Sequence, residues 1–90
     1  MTDAAALSSD RDILDRLTAI LRDVLNDERV SLAMATTRAD VPGWDSFAYI
    51  NFIVAAELDF GVRYRIADVE RFDTLADIVA ATRDRLTAKI

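Results

Sequence analysis

The 90-residue chain is 52% hydrophobic and 30% charged, a globular balance with enough apolar material for one compact core. It contains neither cysteine nor histidine, which excludes disulfides, zinc sites of the usual ligand types, thiol nucleophiles and serine-histidine triads. A net charge of −5, with no lysine or arginine cluster, repels phosphate backbones, so nucleic acid is not expected as a partner; basic patches on other proteins are.

No stretch is long enough to span a membrane, and Met1 to Ser9 lacks the basic residues and apolar run of a secretory signal. A cytoplasmic location, a single domain over residues 1–90 and a monomer are the expectations.

Ile13, Leu14, Leu17, Ile20, Leu21, Val24 and Leu25 fall on one side of a helix at about 100° per residue, with Asp15, Arg16, Arg22 and Asp23 opposite. Ser9, with Asp12 three residues on, suits the start, so a helix is predicted over about 9–25. Periodicity then disappears from Asn26 to Asp45, a segment holding Pro42 and Gly43 and read as a long loop anchored by Val30, Leu32 and Met34. Phe47 to Phe60 is strongly apolar and ends at Gly61, which predicts a second helix over 46–60. Val62 to Tyr64 reads as extended. Ile66, Val69 and Phe72, three apart, predict a short helix over 66–72. Thr74 is placed to cap a last helix over 74–88, whose inner face is Leu75, Ile78, Val79, Thr82 and Leu86, with Asp77, Asp84 and Arg85 turned away. The sum is an all-α bundle of three long helices and one short helix between the second and the last, with a long loop after the first.

The second helix carries two apolar stripes. Tyr49, Phe52, Ile53, Ala56 and Phe60 form a broad arc, the better core candidate because its aromatics remove more area from water. Phe47, Ile50, Val54 and Leu58 form a second arc on nearly the opposite side, flanked by Asn51 and Glu57. Two readings of it stay open: an exposed docking surface for a partner, or a face covered by the loop from Asn26 to Asp45. At the head of the helix Ser46 sits where free amides and the helix dipole favour an anion, yet taken alone Asp45 and Ser46 are ordinary capping residues.

Gly43-Trp44-Asp45-Ser46-Phe47, followed by an apolar helix ending Glu57-Leu58-Asp59-Phe60-Gly61, resembles the phosphopantetheine attachment region of the acyl and peptidyl carrier proteins. Phe47 stands where the family's Asp-Ser-Leu pattern has leucine, and Trp44 before the aspartate is common in stand-alone bacterial carriers. The resemblance continues to Phe72-Asp73-Thr74-Leu75 and takes in essentially the whole chain, since the first helix, the loop and the last helix follow the family's order. It implies an acyl-carrier-like bundle without catalysis of its own. A 4′-phosphopantetheine arm from coenzyme A would be attached to Ser46, with Asp45 as motif neighbour helping to orient the modifying enzyme. The arm's thiol would hold an acyl or aminoacyl group as a thioester, which fits a chain lacking cysteine. The implied partners are a phosphopantetheinyl transferase and the acyl- or aminoacyl-loading and acyl-transfer enzymes of a lipid or secondary-metabolite pathway. The competing reading is a carrier-like interaction module that is never modified. Ser46 as a nucleophile finds no support, because there is no histidine and the only lysine is Lys89.

The chain departs from that family in charge. Ala48, Asn51 and Leu58 stand where that family would be expected to carry carboxylates on the second helix, leaving Glu57 and Asp59 as its acids. Docking through Phe47, Ile50, Asn51, Val54 and Leu58 would then rest on apolar burial more than on charge, and the partners would be dedicated enzymes of a specialised pathway. Arg63, Arg65 and Arg71 read as solvated residues paired with Asp68, Glu70 and Asp73.

Overall fold

The first helix, α1 (Asp10–Leu25), opens on Ser9, whose hydroxyl accepts the Asp12 amide at 3.4 Å. It closes on Asn26, whose left-handed φ of 53° turns the chain so that the Asp27 amide reaches the Arg22 carbonyl at 3.0 Å. The computed structural model of the protein describes residues 9–88; most of the Met1 to Ser9 stretch and Lys89 lie outside them. Three further helices follow: α2 (Ser46–Phe60), α3 (Ile66–Arg71) and α4 (Leu75–Ala88). The described residues form no strand beyond one isolated bridge between Thr37 and Thr74.

α1 packs against both α2 and α4. Ile13, Leu17 and Leu21 of α1 meet Phe52, Ile53, Ala56 and Phe60 of α2 and Leu75, Ile78 and Val79 of α4 in one buried cluster. Full burial of a side chain such as Phe52 is worth about 1.5–3 kcal/mol relative to leaving it in water. Gly61 ends α2 at φ 68°, in the left-handed region that a side chain would strain, and the Val62 amide bonds back to the Glu57 carbonyl at 3.0 Å. Tyr64 is buried beyond this turn. Its amide donates to Glu57 Oε2 at 2.8 Å, and its hydroxyl lies 2.6 Å from Thr82 Oγ1.

The segment from Asn26 to Asp45 is more ordered than a plain loop. It includes a 3₁₀ turn at Arg38–Asp40, and the Arg22 guanidinium donates to the Val30 carbonyl at 2.8 Å. Val30 is buried and Leu32 and Met34 pack partly against the core, joined by Val41 and Trp44, which were not among the expected anchors. The carbonyls of Thr36 and Met34 accept the amides of Leu75 and Ala76 at 3.0 and 2.9 Å, so the loop satisfies the first turn of α4.

This corrects the expected cap. The hydroxyl of Thr74 makes no bond to the helix; Asp77 Oδ2 instead reaches back to the Asp73 and Thr74 amides at 2.9 and 3.2 Å, which holds the Asp77 carboxyl below its ordinary pKa. α3 also differs from its expected stripe. Val69 and Phe72 lean on the core, but Ile66 faces water, because the helix is held at its far end by the Tyr64–Phe72 ring contact of 5.9 Å. Arg63, Arg65 and Arg71 pair with no carboxylate among the described residues, so the expected ion pairs with Asp68, Glu70 and Asp73 are not formed.

Candidate functional site

The start of α2 is set by three neighbouring side chains with separate tasks. Asp45 is the N-cap: its extended backbone leads into the helix and its Oδ1 accepts the Ala48 amide at 2.9 Å. Trp44, the residue before the cap, is buried and lies against Tyr49, the fourth residue of the helix, with ring centroids 6.2 Å apart. An apolar residue ahead of the cap packing on the fourth helical position fixes the angle at which the chain enters. Trp44 also meets Phe52 edge-on at 5.1 Å, which ties the entry to the core.

Ser46, the first residue of the helix, is thereby left without a structural duty. It is exposed and its hydroxyl bonds to nothing in the described residues, because Asp45 carries the cap alone. The first bond of the helix backbone runs from the Tyr49 amide to the Asp45 carbonyl at 2.8 Å, so the Ser46 and Phe47 amides precede the ladder and remain available to an anion. A phosphodiester on Ser46 fits this position on two counts, a free hydroxyl and a helix end that favours negative charge.

Behind Ser46 the helix divides as its two stripes suggest. Phe52, Ile53, Ala56 and Phe60 are buried and Tyr49 is partly so, while Phe47 (77% exposed), Ile50 (54%), Val54 (48%) and Leu58 (80%) face outward beside exposed Asn51. The loop does not cover them. Ala48, which stands where the family would have a carboxylate, is buried, one helical turn before Phe52 on the core side. The two acids of the helix are both engaged, Asp59 with Arg16 of α1 and Glu57 with the Tyr64 amide. The outward stripe therefore carries no uncommitted carboxylate of its own helix.

Beside the site lies a groove of about 680 Å³ between the 3₁₀ turn, α2, α3 and the start of α4, lined in part by Trp44, Tyr49, Phe72, Leu75 and Ile78. The Tyr49 hydroxyl crosses it to donate to the Val69 carbonyl at 2.7 Å, and burial pushes the Tyr49 pKa up to about 12, with Arg38, 4.8 Å from the ring centre, opposing the shift. Trp44 Nε1 is buried with no acceptor. Nothing in the sequence pattern marked this donor, although any buried indole poses the question of where its N–H goes.

No protein-family model matches the chain, and a search of curated proteins finds no match. Among solved structures the chain is similar to a holo acyl carrier protein from Geobacter metallireducens, determined in solution by NMR. The two share 28% identity and superpose with a TM-score of 0.79, over 84% of this chain and 87% of the other. The protein has an acyl-carrier-like helical fold, which is the fold of a carrier protein and not of an enzyme. That likeness supports a carrier role, and no helix among the described residues is long and apolar enough to cross a membrane.

Proposed function

We propose that the chain is an acyl carrier protein that bears 4′-phosphopantetheine on Ser46 and presents an acyl or aminoacyl intermediate to the enzymes of a lipid or secondary-metabolite pathway in the cytoplasm. The observation that carries this reading is the division of labour at the head of α2: Asp45 caps the helix, and Ser46 keeps an exposed, unbonded hydroxyl beside free amides. When bound, the arm supplies a terminal thiol for thioester formation, which this cysteine-free chain lacks. In loading, Ser46 Oγ forms a bond to phosphorus as the pyrophosphate bond of coenzyme A breaks, adenosine 3′,5′-bisphosphate departs and the hydroxyl proton passes to the transferase.

The partners are a phosphopantetheinyl transferase and the enzymes that load and unload the arm. They dock on Phe47, Ile50, Val54 and Leu58, with Asn51 as a polar contact between them. The support is the exposure of that stripe together with the engagement of Asp59 by Arg16 and of Glu57 by Tyr64, so that apolar burial outweighs charge pairing.

Intact mass after incubation with a transferase and coenzyme A tests the reading. One added arm, absent in Ser46→Ala, supports it; an unchanged mass with several transferases favours the unmodified interaction module.

A further inference from the structure

Arg38, in the 3₁₀ turn before α2, holds its guanidinium carbon 4.8 Å from the centre of the Tyr49 ring. An aromatic face attracts a cation without neutralising it. Arg38 makes no ion pair among the described residues, whereas Arg11, Arg16, Arg29 and Arg83 each find a carboxylate. The turn thus carries a whole positive charge that the fold itself leaves uncompensated.

Where that charge stands relative to Ser46 follows from the backbone on both sides. Two successive turns, from the Val41 amide to the Arg38 carbonyl and from the Trp44 amide to the Val41 carbonyl, both at 3.2 Å, fold residues 38–44 back toward the head of the helix. Tyr49 comes three residues after Ser46, so the two are neighbours on the helix surface, about 5–6 Å apart at Cβ. Helical side chains lean toward the N-terminus, and the Tyr49 ring does so, since it lies against Trp44. Arg38 is therefore stationed about one helical turn from Ser46. Arg16, the other arginine over a ring of α2, meets Phe60 and Asp59 at the opposite end.

Asp45 already places a carboxylate beside Ser46, engaged with the Ala48 amide. A phosphodiester on Ser46 puts a second negative charge on the adjacent residue, and like charges so close repel. Resting on the carrier reading, we propose that Arg38 is the counter-cation of the modified serine, its guanidinium donating to the non-bridging oxygens of the arm's phosphodiester and restraining the first bonds of the arm. The planar fork of an arginine suits two such oxygens at once.

NMR of the full chain before and after transferase loading tests this without any enzyme assay. On loading, the Arg38 Nε–H signal should move downfield and its hydrogen exchange should slow about two- to fivefold, the factor an exposed ion pair is worth. Sodium chloride at about 1 M, where the screening length is about 3 Å, should reverse both changes. In Arg38→Gln the phosphorus resonance of the arm should shift and lose its salt dependence. Arg63→Gln removes the same charge beyond the far end of α2 and should leave the phosphorus signal as in the native protein. An Arg38 signal blind to loading overturns the proposal, and so does a phosphorus signal that Arg38→Gln moves no more than Arg63→Gln does. The first readout uses the native sequence, so it stands even if a variant loses its fold. Intact mass separates the two levels: an arm that attaches while Arg38 stays indifferent refutes the ion pair alone, whereas a mass unchanged with several transferases refutes the carrier reading and the ion pair with it.

Discussion

Tyr64 and Thr82 form a buried relay: the Tyr64 hydroxyl lies 2.6 Å from Thr82 Oγ1, which itself donates to the Ile78 carbonyl at 2.7 Å. Because the threonine hydrogen is used on Ile78, tyrosine must be the donor of the pair, and the turn after α2 is pinned to the middle of α4. Thr82→Val retains the shape but leaves the Tyr64 hydroxyl without an acceptor in the core. The expected loss is about 1–3 kcal/mol. Adding Tyr64→Phe should restore part of it, since removing both partners leaves nothing unsatisfied. Urea denaturation of both variants checks this, and a double variant weaker than the single one contradicts it.

The two phenols make a pH prediction whose sign follows from burial. Tyr49 is raised to about 12 and Tyr64 is raised as well, both chiefly by desolvation, so the folded state favours the neutral forms relative to an unfolded tyrosine near 10. Their contribution is whole below the unfolded value and is lost as pH climbs through the folded ones. Melting followed by circular dichroism should be flat up to about pH 9.5 and fall between about 10 and 12. In Tyr49→Phe the fall should be shallower; an identical slope would count against this assignment.

Cap and attachment should separate under mutation. Asp45→Ala removes the acceptor of the Ala48 amide and should cost about 0.5–2 kcal/mol. Ser46→Ala touches no bond and should leave the melting temperature unchanged while abolishing arm addition. A Ser46→Ala protein as unstable as Asp45→Ala would mean that the serine shares the cap.

On the outward stripe, Ile50→Asp and Val54→Asp should each cost no more than about 1.5 kcal/mol and leave the fold intact, because about half of each side chain is already in water. Binding to the loading enzyme should be lost in both, and in the native protein it should vary little between low and high salt. Strong salt dependence with both substitutions tolerated refutes the apolar docking face.

The helices were legible because their inner faces repeat: Ile13, Leu17 and Leu21, or Leu75, Ile78, Val79 and Thr82, return at helical spacing and are buried. The aspartate cap was legible for a local reason, since Asp45 bonds to an amide only three residues on. The core stripe of α2 was legible from its aromatics, but whether the second stripe stays exposed was not, as only the path of the distant loop decides. The bonds from Met34 and Thr36 to Ala76 and Leu75 join residues far apart in the chain and leave no periodic trace. Ile66 was misplaced because a six-residue helix has too few turns for spacing to choose its buried side.

Those last bonds also make the loop and the final helix one cooperative unit. A helix that begins on another segment's carbonyls cannot form its first turn independently of that segment, so peeling the loop away also frays α4. The Leu75 and Ala76 amides are therefore built-in reporters: their hydrogen exchange measures how often the loop leading to Ser46 opens.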